Sequence, residues 1–192
     1  MSEPLFGLAE SDLRDVAARD ALRRLVESYS RAVDRRDFVL LESLYHPGAI
    51  EEHGDMFRGS PAEYAVWVQS ALARYEATAH YVVNALFVID GDRAEGEVYK
   101  LNYHRTHRPD ATEVITGSRS LDRYEKRAGR WGFTRRSITL DWATRRPADL
   151  GAYSDFAAGS PHGQPGASDL SYRLLSLFQR RDGADAKIEE TS

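Results

Sequence analysis

Two polar residues, His80 and Asn84, interrupt a run of strand-forming residues at 77–89, reading ATAHYVVNALFVI. A β-strand sends alternate side chains to opposite faces. His80, Val82, Asn84 and Leu86 therefore share one face, and Tyr81, Val83, Ala85 and Phe87 the other. Both faces are apolar enough to require cover. A histidine and an asparagine under cover need partners, because an unpaired buried polar group is costly. The segment after Asp90-Gly91-Asp92 supplies them. A three-residue turn there pairs Ile89 with Arg93 and His80 with Asn102, and makes His104 a diagonal neighbour about 7–8 Å away. A two-residue turn shifts the register by one and sends His104 to the other face. In the first register one face carries His80, Asn84, Lys100, Asn102 and His104 among Val82, Leu86 and Val98. An apolar wall with a few convergent polar groups is the usual make-up of a small-molecule pocket.

Composition narrows the chemistry. The chain has 192 residues and no cysteine, so disulfides, thiol nucleophiles and thiolate metal sites are excluded. No His/Asp/Glu spacing matches a zinc helix or another dedicated metal site. The net charge of −4 is mild and the two signs alternate along the chain, which argues against nucleic acid and a polybasic membrane patch as partners. The N-terminal stretch MSEPLFGLAESDLRD has no basic region and no long apolar run, so no signal peptide is expected. No segment approaches the roughly 20 apolar residues of a membrane span. The expectation is a soluble, cytoplasmic protein.

The elements that must hold this wall follow from the periodicity. Leu22, Leu25, Val26, Tyr29, Ala32 and Val33 repeat at helical spacing and predict a helix over about 12–35. Asp37 is placed to cap a short helix carrying Leu40, Leu41 and Leu44, which Pro47-Gly48 should stop. Residues 49–53 can form a short strand. Ser60-Pro61 with Glu63 is a capping box with proline in the first turn, opening a helix to about residue 75. Long strands follow at 77–89, 93–105, 112–127 and 131–142. Helices first and then an antiparallel meander define an α+β domain, with the helices on one face of a curved sheet. The segment SPHGQPGASD reads as a loop. Leu170, Leu174, Leu177 and Phe178 then predict one more short amphipathic helix, with residues 182–192 polar beyond it. The expected organisation is a domain over 1–145 and an extension over 146–192. The other sheet face, with Tyr81, Val83, Phe87, Tyr99, Leu101 and Tyr103, is too apolar to stay wet and predicts a homo-oligomer.

Four strings carry a resemblance: SRAVDRRDFVLLESLYHPGAI, EEHGDMFRG, the HYVVN strand and GRWGFTRRSITLDW. Together they resemble the SnoaL-like branch of the nuclear transport factor 2-like superfamily, and within it the group of scytalone dehydratase, lindane dehydrochlorinase and bile acid dehydratase. The resemblance covers about residues 12–145. It implies a cone-shaped α+β barrel, a strongly curved, mostly antiparallel sheet whose N-terminal helices close over an apolar cavity. It implies a catalytic pair on Asp34 and His80. Helix geometry alone places Asp37 as well as Asp34; the motif selects Asp34. The second dehydratase histidine falls on or near His104. The tyrosine of the short first strand falls near His53, where this sequence departs from the dehydratases. The dehydrochlorinase arginine falls on Arg136, or on Arg135 by a one-residue shift. Asn84 and Trp142 are further implied pocket residues, and the hairpin register, not the resemblance, adds Asn102 to the substrate-binding set. His46, His107 and His162 sit in loop contexts.

The implied chemistry is a cofactor-independent, metal-independent lyase, a dehydratase or dehydrohalogenase acting on a small hydrophobic molecule. A neutral imidazole can take a proton from carbon when it is held in one tautomer and orientation. An aspartate on its other nitrogen provides that hold, and a further donor polarises the leaving group or a carbonyl oxygen. An isomerase or cyclase on a steroid- or polyketide-like substrate uses the same proton abstraction. A non-catalytic binding module for such a ligand is the third reading. The same relatives suggest a trimer.

Overall fold

The chain's first long helix, α1 (Glu10–Arg35), buries Leu22, Leu25, Val26, Tyr29, Ala32 and Val33 on one side, the stripe that the periodicity predicts. The structure is a computed structural model that describes residues 10–152, 155, 159–176 and 178. Arg36, at φ 57°, ends α1 in the left-handed conformation, and the Asp37 N–H donates to Ala32 O at 2.9 Å. The Asp37 carboxylate then caps α2 (Phe38–Ser43) through the Leu40 N–H. Ser60 and Glu63 form the expected capping box on α3 (Pro61–Leu72), which buries Tyr64, Ala65, Val68 and Leu72. That helix stops before Tyr75, which opens the next strand.

Six strands form one sheet: β1 (Tyr45–Glu52), β2 (Arg58–Gly59), β3 (Tyr75–Asp90), β4 (Arg93–Thr106), β5 (Thr112–Arg127) and β6 (Arg130–Pro147), in the order β2-β1-β6-β5-β4-β3. All neighbours are antiparallel except β1 and β6. The α+β class and the curved, helix-covered sheet are as expected; the sheet is open, with β3 and β2 as its edges.

Pro47-Gly48 does not stop α2. The helix ends at Ser43, and Pro47 and Gly48 lie inside β1, where the pairing with β6 is irregular between Tyr45 and Ile50. A proline has no N–H for the ladder, so it sits where pairing is already broken.

The first hairpin differs from expectation in a way that cancels. Its turn has two residues, with Asp90 opposite Arg93 and Ile89 opposite Ala94. A β-bulge at Val83, between the Val82–Lys100 and Asn84–Tyr99 pairs, then shifts the register back. His80 therefore faces Asn102 after all. Beyond the bulge the faces exchange: Phe87 is buried and Asn84, Leu86 and Val88 are exposed. One extra residue moves every following side chain to the opposite face.

The core joins α1, α3 and the sheet through Tyr29, Tyr45, Tyr64, Tyr124 and Phe133, with ring centroids 5.2–6.4 Å apart. After the sheet, a 3₁₀ turn (Gly166–Ser168) leads to α4 (Leu170–Leu174), capped by Asp169. This segment returns to the end of α1. Arg35 pairs with Asp169 at 2.8 Å, the Tyr172 hydroxyl donates to Asp37 at 3.1 Å, and Arg31 lies over the rings of Tyr172 and Phe178. Residues 182–192 and Leu177 lie outside the described residues, as do the first nine.

Candidate functional site

The last turn of α1 projects Asp34 onto β3. Asp34 Oδ1 is 2.7 Å from His80 Nδ1, and Oδ2 accepts the His80 backbone N–H at 2.8 Å. Thr78 Oγ1 donates to Oδ1 at 2.9 Å and itself accepts from Arg36 Nη1 at 3.0 Å. Arg36 reaches Thr78 from the residue that ends the helix, so the helix stop and the carboxylate's second bond share one cause. Burial would raise the Asp34 pKa, but the hydrogen bonds from His80, its charge and the Thr78 hydroxyl outweigh burial and hold it below the usual carboxylate range. An ionised Asp34 takes the Nδ1 proton as a hydrogen bond. That assigns the Nδ1–H tautomer and leaves Nε2 as the basic nitrogen.

His104 is two residues along β4 from Asn102, and its ring meets that of His80 edge-on at 5.1 Å. Tyr75 packs on its other side at 4.8 Å. Burial, then the neighbouring His80, push the His104 pKa down to about 4, so its imidazole is neutral near pH 7. Asn102, opposite His80, donates through Nδ2 to Thr116 and Ser118, while its Oδ1 has no partner. A groove lined by Glu27, Arg31, Asp34, His80, Val82 and Phe178 opens beside the pair.

Deeper in the cone lies a second cluster, and the interior there is not apolar. Arg136 and Glu51 are fully buried, and Asp122 and Lys100 nearly so. The Glu51 carboxylate accepts from Tyr45 at 2.6 Å, Tyr29 at 3.3 Å and His53 Nε2 at 2.7 Å. His53 stacks on Tyr64 at 5.0 Å, and Tyr64 shares a 2.6 Å hydrogen bond with Tyr29. Arg136 donates to Ser120 at 2.9 Å, stands 3.6 Å from Asp122 and lies 3.9 Å above the Tyr29 ring. Burial would lower the Arg136 pKa, but Asp122 and the surrounding acidic groups hold it above its ordinary value. Burial raises that of Asp122 despite Arg136 and Lys100 nearby.

Asp34, His80, His104 and Asn102 are thus brought together, and His53 and Arg136 sit in the deeper cluster. Arg135 points elsewhere, partly exposed and paired with Glu52 at 2.7 Å. Asn84 and Trp142 are not gathered. The bulge at Val83 turns Asn84 to solvent. Trp142 is half-exposed and lies against Gly117, on the face opposite Thr116 and Ser118, because a second irregularity separates Gly117 from Ser118. Sequence reasoning missed Tyr29, Tyr45, Glu51, Tyr64 and Asp122. The alternation of Ser118, Ser120, Asp122 and Tyr124 along one strand was the available signal.

The chain matches the SnoaL-like domain family over residues 14–137, more than half its length, and belongs to that family. No curated protein matches it. Among solved structures, LinA is similar with a TM-score of 0.62 at 22% identity, covering 73% of this chain and 95% of LinA. The hexachlorocyclohexane dehydrochlorinase LinA-type3 from Novosphingobium barchaimii gives 0.63 at 20%, covering 72% and 95%. A candidate scytalone dehydratase from Novosphingobium aromaticivorans gives 0.61 at 17%, covering 80% and 95%. At these identities the likeness shows the fold. Among the described residues, no helix is long and apolar enough to cross a membrane and no group of acidic or histidine side chains could hold a metal ion.

Proposed function

We propose that this protein is a lyase that removes water or hydrogen halide from a small hydrophobic molecule, with His80 as base and Asp34 as its orienting partner. The single observation that carries this is the two-pronged Asp34–His80 contact, at 2.7 Å to Nδ1 and 2.8 Å to the backbone N–H. It holds the ring in one tautomer with Nε2 free. His80 Nε2 takes a proton from carbon, the C–H electron pair forms the double bond, and hydroxide or halide departs from the neighbouring carbon. His104, neutral and 5.1 Å away, supplies an N–H for a departing hydroxyl or a carbonyl oxygen. Asn102 and Arg136 are polar contacts for the substrate, and His53 is held by Glu51 at the same interior. General acid–base catalysis of this kind contributes about 10²–10⁴-fold; positioning supplies the rest. The neighbours named as dehydrochlorinase and candidate dehydratase support the reading by analogy of fold.

The outer sheet face supports assembly. Tyr81, Val83, Leu86 and Val88 are more than half exposed, with Leu101 and Tyr99 beside them. A homo-oligomer, in the form of a trimer, covers this face in the proposed functional unit. Its site is a cytoplasmic one, and its catalytic domain is 1–145 with 146–192 as an extension.

Incubation with a panel of hydrophobic β-hydroxy and halogenated compounds, read by product mass, tests the function. A loss of water or hydrogen halide that disappears in His80→Ala is expected. Binding without any mass loss across the panel sinks the lyase reading, and a product of unchanged mass replaces it with isomerisation or cyclisation.

A further inference from the structure

Lys100 is the buried charge that the proposed chemistry leaves unused. It sits on the inner face of β4, two residues from Asn102 and across from Val82, with only 7% of its surface exposed. Among the described residues no carboxylate lies within ion-pair distance of it and no hydrogen bond reaches its amine. Its Nζ stands 4.9 Å above the Tyr29 ring, the ring on which Arg136 also stacks. Two cations therefore share one aromatic ring at the inner end of the wall that carries His80.

Their donors are not consumed. Arg136 Nε and Nη1 are buried without a hydrogen bond, although Asp122 is near in charge. The Glu51 carboxylate, which could have taken them, is filled by Tyr45, Tyr29 and His53. A buried donor without an acceptor is unfavourable. Burial, then repulsion from Arg136, bring the Lys100 pKa down to about 7 against the more distant pull of Asp122 and Glu51. Across the sheet Lys100 pairs with Ser118, and Ser118 with Leu140, which is 65% exposed.

We infer that Lys100 and Arg136 form a seat for an anionic oxygen group, so that the substrate of the His80–Asp34 site is a hydrophobic acid bound by its carboxylate. This deepens the lyase reading and rests on it for the word substrate. The seat itself is a binding property. The ring-bearing end of the ligand lies toward Val82 and His80, and the carboxylate takes the place of the missing acceptor between amine and guanidinium. Lys100 is a specificity-determining residue in this arrangement, acting on which molecule is held.

Calorimetric titration with 2-naphthoate and 2-naphthamide, equal in shape and different in charge, tests the seat at pH 6.5. The wild-type protein is expected to prefer the carboxylate by at least roughly tenfold, since hydrogen bonds to charged groups are worth that or more. Lys100→Met, checked for folding by circular dichroism, should bring the two compounds within about threefold, chiefly by weakening the acid. Equal affinities in the wild type, tighter binding of the amide, an unchanged preference in Lys100→Met, or no binding of either at millimolar concentration overturns the inference. Should Lys100→Met not fold, Lys100→Gln takes its place, with the same expectation. The readout needs no turnover. Lack of elimination with an intact carboxylate preference fails the lyase reading alone, and elimination from neutral compounds without that preference fails the seat alone.

Discussion

The two polar clusters inside the cone solve opposite problems. Around Asp34 both carboxylate oxygens are taken and the His80 ring is fixed, yet the pair stays beside an open groove. Around Arg136 the burial is complete, and two guanidinium nitrogens and one Asp122 oxygen lack hydrogen bonds. The first arrangement is preorganised for a proton transfer before any ligand arrives. The second is unfavourable until something polar arrives. The difference teaches that the fold keeps a fully anchored His80–Asp34 pair near the groove and an incompletely paired charged cluster at depth.

The comparison predicts very different mutants. Breaking the first cluster should damage rate and spare the fold. His80→Ala, and Asp34→Asn by allowing the wrong tautomer, should each lower turnover by about 10²–10⁴, measured as product formation at saturating substrate with an unchanged far-ultraviolet spectrum. Removing the guanidinium from the second should damage the fold. Arg136→Met leaves Asp122 buried without its cation and should lower stability by about 3–5 kcal/mol in urea unfolding.

Acid should act through the first cluster as well. The His104 pKa lies near 4 in the folded protein, below its ordinary value. The unfolded chain therefore binds the extra proton first. The stability due to neutral His104 is present above about pH 6.5 and is lost as pH falls toward 4, by about 3 kcal/mol at most. The lowered Asp34 pKa adds a loss only below the ordinary carboxylate range. Urea midpoints between pH 7 and 4 should fall in the wild type and stay flatter in His104→Phe. A sharper contrast is expected from residues outside both clusters. Arg135→Ala removes a partly exposed pair with Glu52 and should leave the urea midpoint nearly unchanged. Asn84→Ser should stay within about 0.5 kcal/mol and leave turnover unaltered. A loss of ligand binding in Asn84→Ser would return that residue to the site and contradict the bulge at Val83.

Much of the fold was legible because it depends on local rules. The α1 stripe, the Asp37 cap, the Ser60–Glu63 capping box and the long strands are each written within a few neighbouring residues. The same holds for Asp34 and His80, which a motif marks even though helix spacing alone left Asp37 open. The hairpin shows where such reasoning reaches its limit. A turn of two residues and a bulge at Val83 are offsetting choices, so His80 met Asn102 for a reason the alternation did not contain, while Asn84 was turned outward by that same bulge. Trp142 was lost to a second irregularity of the same kind.

What the sequence by itself determined, then, is the set of elements, the family and the pairing of Asp34 with His80, because periodicity, capping and a contiguous motif are local in the chain. Only the tertiary structure decided which arginine enters the cone, which side chains beyond each bulge face inward, and that Tyr29, Glu51, Lys100, Asp122 and Arg136 meet at one place. Those residues come from one helix and four strands. Their meeting depends on register across a curved sheet, where one inserted residue reverses the face of all that follow.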